Sequence, residues 1–263
     1  MSGIFERQIR LQGAFNVRDL GGYGRADGTT TRWRSVLRAD GLQGLTGADV
    51  ALLLDLGLVT VVDLRSNVEL ERDPSAFARH ASVDYRHVPL FDSLAPVDQM
   101  FASTAGFGLA ARYASAADIC GPALATVART VAEAGEGVVL FNCTAGKDRT
   151  GIVAAMLLSL AGVADDEIVA DYALTATIAA PLMDRLRQAA LRRGLSETAA
   201  ATLLGSEPDT MRAFLGHVAG RHGGFAAYLA DAGVSAGHLD RLTRRLASPG
   251  VGVAPDMKPV SIA

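Results

Sequence analysis

The stretch FNCTAGKDRTG, residues 141–151, decides the fold of this 263-residue chain. It completes a short apolar run, GVVLFN (residues 137–142), and leads into a longer apolar run that begins at Ile152. The first run is typical of a buried strand, and the second reads as a buried helix. The residues between them are therefore predicted to form a tight loop that joins a strand to a helix N-terminus.

The composition of this loop suits a bound phosphate group. Exposed amides at a helix N-terminus attract anions, Gly146 lets the backbone approach closely, and Arg149 offers a planar fork for two phosphate oxygens. The same positive field favours thiolate at Cys143. A thiolate beside a bound phosphate ester can displace the alcohol or phenol and form a phosphocysteine, which water then hydrolyses. The loop therefore predicts a phosphatase.

The sequence of the loop also resembles that of a known family. Cys143 and Arg149 form a C-x5-R signature, and in the form CTAGKDRTG it is similar to the bacterial, PtpB-like tyrosine phosphatases that also act on phosphoinositides. Further blocks resemble that group in the same order: FNVRDLGGY (15–23), WRSVLRAD (33–40), TVVDLRSNVELERDP (60–74) and HGGFAAYLADAGVS (222–235). The resemblance covers most of residues 11–247.

The resemblance implies roles for the loop residues. Cys143 is expected to be the nucleophile, Arg149 the phosphate clamp, and Thr150 a hydroxyl that hydrogen-bonds the departing thiolate. The rest of the loop is expected to bind substrate: Thr144, Ala145, Gly146 and Lys147. The charge of Lys147 suits multiply phosphorylated substrates, although the residue could equally be an ordinary solvated lysine.

Three carboxylates compete for the role of general acid, which must lie near the scissile bond. Asp148 ranks first because it adjoins the arginine, although it could equally brace the loop. Asp92, just after the predicted strand YRHVPLF (85–91), ranks second because related dual-specificity phosphatases often place their acid at that point. Asp63 ends a strand beside Arg65, where the pair is either a structural ion pair or a support for the phosphate loop.

Asn142 stands where most C-x5-R phosphatases have histidine. It can donate hydrogen bonds to the loop but cannot become cationic. Because the other supports remain, we expect an active enzyme. Arg18 and Asp19 are predicted to anchor a turn near the site, and Cys120 is predicted to be a structural thiol.

Composition excludes several classes of protein. A net charge of −3 argues against a general nucleic-acid binder, which needs a basic excess. Two cysteines are too few for a disulfide scaffold, and the N-terminus lacks an apolar signal region, so we expect a cytoplasmic protein, with non-classical export left open. The longest apolar stretch, about 13 residues, is too short for a membrane span.

No cofactor or metal is expected, because the five histidines show no metal-ligand spacing, despite one pair five residues apart. The oligomeric state is left open. The predicted partners are the substrates, which are phosphotyrosine proteins or phosphoinositides.

Apolar runs and helical patterns alternate along the chain, which predicts an α/β fold: a mostly parallel sheet flanked by helices, with an added C-terminal helical layer. Strands are predicted at 57–64 and 137–142, with one nearer a sheet edge at 83–90. Helices are predicted at 47–56, where Thr46 and Asp49 have the spacing of a capping box, and at 122–134. The chain after Asp165 reads as helical.

Residues 1–248 are predicted to form one catalytic domain, and 249–263 a loosely ordered tail. Leucines recur among arginines at about 180–204. By default that stripe is core packing with a solvated basic face, but the resemblance implies helices that cover the active site as a lid, with a basic face that could meet acidic lipids.

The function predicted is phosphomonoester hydrolysis without metal, on phosphotyrosine first, with phosphoserine, phosphothreonine or phosphoinositide as extensions. One alternative is a catalytically weak phosphate-binding module, because the loop would bind an anion even with a poorly activated thiol. A less favoured alternative is a sulfurtransferase or arsenate reductase, which also use loop cysteines.

Overall fold

The computed structural model describes residues 7–91 and 108–248. The described residues contain one five-stranded sheet with the order β1-β2-β5-β3-β4. Its strands are β1 Arg18–Asp19, β2 Val36–Ala39, β3 Leu58–Asp63, β4 Asp84–His87 and β5 Val138–Asn142. Only β1 pairs antiparallel, and the other four strands are parallel. The predicted mostly parallel sheet is confirmed.

The register of the sheet brings three strand ends together. Ala39 of β2 lies opposite Asn142 of β5, which in turn lies opposite Asp63 of β3. Because the carboxyl ends of parallel strands meet at one edge, the loop after β5 emerges at the centre of that edge, the usual position of ligand sites in open α/β sheets.

Strands β3, β4 and β5 follow the predicted runs, and β4 lies at the edge as expected. Strands β1 and β2 were not predicted. Strand β2 has the sequence VLRA, in which Arg38 interrupts the apolar pattern, yet all four residues are buried. The arginine is tolerated there because a distant carboxylate neutralises it, as described below.

Helices flank the sheet and make up the C-terminal part of the chain, as predicted. The helices are α1 Gly47–Asp55, α2 Asn67–Arg72, α3 Leu109–Ile119, α4 Gly121–Glu133, α5 Asp148–Leu160, α6 Asp165–Ala173, α7 Thr175–Ile178, α8 Ala180–Arg192, α9 Glu197–Leu204, α10 Pro208–His222, α11 Phe225–Asp231 and α12 Ala236–Leu246. The capping box predicted for α1 is present: the Thr46 hydroxyl accepts from the Asp49 amide, and the Thr46 amide donates to Asp49.

Helix α5 is the central helix of the core. Its residues 150–158 are all buried, and it packs against the sheet as well as against α4 and α6. In the part of the chain that the structure describes, no helix combines the length and apolar character needed to cross a bilayer. A buried helix directly after the Cys143 loop fixes where that loop can lie.

Helices α8 and α9 form a hairpin that packs mainly on itself. None of the residues of α8 is buried, so the default interpretation of the leucine stripe as core packing is wrong. The Arg185 guanidinium of α8 instead lies 4.4 Å from the centre of the Phe15 ring, in the segment before β1. The predicted tail, 249–263, lies outside the described residues.

Candidate active site

Cys143 follows the last residue of β5, and α5 begins at Asp148, so the predicted strand, loop and helix are present. The Cys143 side chain is buried, with 2% of its surface exposed. Gly146 has φ +66°, and a Cβ there would lie 2.8 Å from both the Asn16 Nδ2 and the Asp40 amide nitrogen. Only glycine fits this turn, because the position is both left-handed and crowded.

The carbonyl groups of the loop are bound from behind. Asn16 Nδ2 donates to the Ala145 and Gly146 carbonyls at 2.9 and 3.1 Å, and Arg38 Nη2 donates to the Gly146 carbonyl at 2.7 Å. No acceptor for the amides of residues 144–148 lies among the residues that the structure describes. Those amides are therefore available to an anion.

Behind the loop lies a buried ion cluster, the rear cluster, formed by Asn16, Arg18, Arg38 and Asp171. Arg18 Nε lies 2.9 Å from the Asp171 carboxylate, and Arg38 pairs with its other oxygen. Burial alone would raise the pKa of Asp171, but the charges of the two arginines outweigh it and hold that pKa below its usual range. Three buried charges thus order the loop from its inner side.

In front of the loop, Arg149 and Glu69 form the front pair. Arg149 Nη1 and Nη2 lie 2.6 and 2.8 Å from the two carboxylate oxygens of Glu69. Thr144 of the loop donates its hydroxyl to the same carboxylate. Burial would raise the pKa of Glu69, but hydrogen bonding and charge from Arg149 lower it. The planar fork of Arg149 therefore already holds two anionic oxygens beside the loop.

Glu69 was missed by the sequence reasoning, although a signal was present. Ser66 is the N-cap of α2, and Ser66-x-x-Glu69 is a capping box: the Ser66 amide donates to Glu69 Oε2 at 2.8 Å. One carboxylate thus closes the helix start and binds Arg149. Asp171 was missed as well, since its partners are distant in sequence and no local pattern marks it.

Asp148 is the first residue of α5, and its side chain is 27% exposed. The Tyr113 hydroxyl donates to Asp148 Oδ1 at 2.7 Å and lies 3.0 Å from the Tyr172 hydroxyl. Burial, followed by the charge of Asp148, raises the pKa of Tyr113 well above its usual value. Tyr113 therefore stays a hydrogen-bond donor and fixes the carboxylate at the mouth of the loop.

Lys147, predicted to bind substrate, is buried, with 1% of its side chain exposed. Its ammonium donates to the carbonyls of Leu203 and Gly205 at 2.6 and 2.9 Å, at the C-terminal end of α9. It also lies 3.2 Å from Asp148. The alternative of an ordinary solvated lysine is wrong, and the residue ties the α8–α9 hairpin to the loop.

Two further candidates, Thr150 and Asn142, lie just after and just before the loop. The Thr150 hydroxyl is buried and donates to the Ala39 carbonyl at 3.4 Å. Both amide atoms of Asn142 are buried, and neither has a hydrogen-bond partner among the described residues, so the bonds expected from this side chain are not observed. Asp92 lies outside the described residues, and its role stays a prediction.

Asp63 is fully buried, and its carboxylate is already bound by neighbouring side chains. Arg65 binds it through Nη2 at 2.7 Å, and the Tyr85 hydroxyl donates to it at 2.9 Å. Arg65 also donates to the Asp73 carbonyl. The geometry is that of the structural ion pair at a strand end, one of the two interpretations left open by the sequence.

Cys120 lies apart from this chemistry. It is buried between α3 and α4, and its Sγ donates to the Leu90 carbonyl at 2.8 Å. Burial raises its pKa to about 11, although Arg112 opposes the shift. This arrangement agrees with the structural thiol that was predicted.

Comparison with known proteins identifies what this arrangement is similar to. Residues 9–248 match the sequence model of a family described as the tyrosine phosphatase family. A tyrosine-protein phosphatase of Nostoc commune is 37% identical over 53% of this chain and 48% of its own length. A putative tyrosine-protein phosphatase of Cupriavidus necator is 34% identical over 60% of this chain and 59% of its own.

A third relative, the triple specificity protein phosphatase PtpB of Mycobacterium tuberculosis, is 28% identical over 88% of this chain and 96% of its own length. The chain thus spans about half to three fifths of the first two relatives and nearly all of the third. The resemblance read from the loop and its flanking blocks is confirmed at the level of the tyrosine phosphatases.

Proposed function

The chain belongs to the tyrosine phosphatase family, and from this membership we propose that it hydrolyses phosphotyrosine in proteins through a phosphocysteine at Cys143. The observation that carries the proposal is the front pair. Arg149 binds two carboxylate oxygens 2.6 and 2.8 Å away, beside a buried thiol and a set of loop amides free to bind an anion. A phosphate presents the same pair of oxygens to such a fork.

In the first step, the loop amides and Arg149 bind the phosphate dianion, and Arg149 releases at least part of its contact with Glu69. The Cys143 thiolate attacks phosphorus, the sulfur–phosphorus bond forms, and the bond to the phenolic oxygen breaks. Negative charge grows on the equatorial oxygens, where fixed amides and the guanidinium stabilise it.

We assign the proton transfers to Asp148. Its carboxyl group protonates the departing phenolic oxygen, and its carboxylate then takes a proton from the water that attacks the phosphocysteine. Inorganic phosphate leaves, and the thiolate is regenerated, accepting a hydrogen bond from the Thr150 hydroxyl, which turns away from the Ala39 carbonyl to donate it. Tyr113 supports this assignment, since it holds Asp148 at 2.7 Å without blocking its second oxygen.

Lys147 has two roles in this proposal, one before the α8–α9 hairpin is released and one after. With its ammonium on the Leu203 and Gly205 carbonyls, it holds the α8–α9 hairpin over the loop as a cover. Release of the hairpin frees the ammonium for a second phosphate. Activity on phosphoserine, phosphothreonine or phosphoinositides is therefore proposed as secondary. The mycobacterial relative is named a triple specificity phosphatase, which indicates such breadth for that protein. The site of action proposed is the cytoplasm.

The test is a substrate panel of phosphotyrosine, phosphoserine and phosphothreonine peptides and of phosphoinositide vesicles, with and without a chelator. We expect phosphotyrosine to be hydrolysed fastest, with chelator making no difference to turnover. Cys143→Ser should abolish turnover yet bind inorganic phosphate, since the loop remains. Phosphate binding without turnover in the native protein would instead establish the phosphate-binding module.

The acid is tested separately with Asp148→Asn. Alkyl phosphates, whose leaving oxygens need protonation more, should slow further than aryl phosphates with good leaving groups. An equal loss for both substrate classes would leave Asp148 with a bracing role only, and Asp92→Asn then becomes the variant to compare.

A further inference from the structure

A second group of chemically active side chains lies on the outer face of α3 and α10. Asp118 of α3 faces His217 and His222 of α10, and their donor atoms all lie within 4.8 Å of one another. The two histidines are five residues apart, a spacing that by itself indicated no metal site. They nevertheless converge, because each approaches the same carboxylate of the neighbouring helix.

The distances within this group suit a small transition-metal ion. His217 Nε2 and His222 Nε2 lie 3.0 and 3.6 Å from Asp118 Oδ1. Ligand atoms placed tetrahedrally around zinc at about 2.0–2.1 Å stand about 3.3 Å from one another. These two separations lie on either side of that value, and the two histidines have ligand atoms within 4.8 Å of each other, so side-chain adjustment would let an ion enter.

His222 gives an independent indication. Its Nε2 is a buried nitrogen with no hydrogen-bond partner among the described residues. The ring is fixed by edge contact with Tyr228 at 4.9 Å between centroids, and α10 ends at this residue because Gly223 takes φ +73°. An imidazole that packs on a tyrosine and turns an unsatisfied buried nitrogen toward a carboxylate is arranged as a ligand is, since an unpaired buried polar atom is costly.

We propose that Asp118, His217 and His222 bind one Zn²⁺ or a similar imidazole-preferring divalent ion, and that this ion ties α3 to α10. Two imidazoles and one carboxylate leave a coordination position for water. Mg²⁺ and Ca²⁺ prefer all-oxygen sites and do not fit this donor set. The site shares no residue with the Cys143 loop, although α3 also carries Tyr113, which holds Asp148.

Arg221 competes for the same carboxylate. Its Nε lies 2.9 Å from Asp118 Oδ1, and its side chain is 62% exposed, so it can swing into solvent. Its positive charge opposes a bound cation in the meantime. The pairing therefore sets a specific expectation: removing the charge of Arg221 strengthens metal binding.

The test is calorimetric titration of the full chain with Zn²⁺ and with Mg²⁺. The Cys143→Ser background is used throughout, because a reactive thiolate is itself a zinc ligand. We expect one Zn²⁺ per chain, no Mg²⁺ binding, and a Tm raised by on the order of 5 °C in excess Zn²⁺. Asp118→Asn and His217→Ala should each weaken Zn²⁺ binding at least about tenfold.

The matched control is His238→Ala. His238 forms a comparable surface pair with Glu133, with Nε2 and Oε1 2.6 Å apart, but no third ligand joins it among the described residues. Zn²⁺ binding should be unchanged in this variant. Arg221→Gln should tighten Zn²⁺ binding several-fold, a gain that misfolding cannot produce.

Any of three results overturns the proposal. The first is no Zn²⁺ binding in the Cys143→Ser protein, and the second is Zn²⁺ binding in Asp118→Asn and His217→Ala that equals binding in that parent protein. The third is loss of Zn²⁺ binding in His238→Ala alone. If Asp118→Asn fails to fold, Arg221→Gln decides, and unchanged or weaker binding there rejects the site.

Discussion

The Cys143 loop is held by ion pairs on both sides, and the two sides differ in depth. The rear cluster is sealed, with at most 1% of the Arg18, Arg38 and Asp171 side chains exposed. The front pair is open to solvent, with 14% of Arg149 and 22% of Glu69 exposed. The same chemistry, guanidinium against carboxylate, therefore occurs once where water is excluded and once where it can enter.

The difference separates two tasks. A buried pair cannot exchange partners, because a lone buried charge is costly, so the rear cluster fixes the backbone of the loop. A partly exposed pair can open at small cost, so the front pair can give up a carboxylate when a phosphate arrives. Stability should thus depend mainly on the rear cluster, and affinity mainly on the front pair.

The largest effect is expected from Asp171→Ala, which leaves Arg18 and Arg38 buried without their carboxylate. We expect a loss of about 3–5 kcal/mol in the free energy of unfolding, measured by urea denaturation. Asp166→Ala, at an exposed position of the same helix, is the control and should cost under about 0.5 kcal/mol. Similar losses in both variants would remove the distinction between the two sides.

Arg149→Lys tests the front pair as the seat of catalysis. A point charge replaces a bidentate fork, so kcat/KM on a phosphotyrosine peptide should fall at least about 100-fold. The free energy of unfolding should change by under about 1 kcal/mol, because the pair is partly exposed. A variant with near-native kcat/KM contradicts the assignment of Arg149.

The pH dependence of stability probes the inner side again, through Asp40, which accepts from the Phe15 and Asn16 amides. Burial raises its pKa to about 6, although those amide hydrogen bonds oppose the shift. The folded protein therefore binds this proton more tightly than the unfolded chain does. The stabilisation that the bound proton gives to the folded state is lost as pH rises from about 4 through 6.

Relative to Asp40→Asn, the native protein should lose about 2 kcal/mol of unfolding free energy over that interval. Parallel urea melts at pH 4, 5, 6 and 7 measure the difference. Curves that stay parallel across the range would show that Asp40 does not titrate there.

The smallest effect is expected from Glu69→Gln. The amide keeps the capping box with Ser66 but loses the charge that competes with phosphate for Arg149. We expect inorganic phosphate to inhibit about 3–10 times more strongly, because a pair this exposed is worth about 1 kcal/mol. Glu71→Gln, on the exposed side of the same helix, should change nothing. Weaker inhibition in Glu69→Gln would mean that the carboxylate orients Arg149 rather than competing for it.

The sequence predicted the features that depend on neighbours along the chain. The apolar runs of β3 and β5, the helix after the loop and the capping box of α1 all carry local patterns, and each was found. Strand β2 was not predicted because Arg38 breaks its apolar pattern. The partner of Arg38, Asp171, lies 133 positions later in the sequence. Pairing over such a distance leaves no trace in spacing.

The same limit applies to the site. Cys143, Arg149 and Asp148 could be proposed as site residues because one short loop carries them. The position of Lys147 under the end of α9 could not be read, since a lysine in a polar loop looks solvated until its tertiary contacts are known. Glu69 could be predicted as a capping residue from the sequence. Its pairing with Arg149 could not be predicted, because only the fold brings these two residues together.

The burial of Cys120 has a consequence for oxidative stress. Peroxide converts reactive thiolates to sulfenic acid, and a neighbouring thiolate commonly rescues the sulfur by forming a disulfide. Only two cysteines occur in the chain, and Cys120 is bound to the Leu90 carbonyl with a pKa raised to about 11. Cys120 is therefore a poor partner for an oxidised Cys143, so we expect disulfide rescue of Cys143 to require a thiol from another molecule.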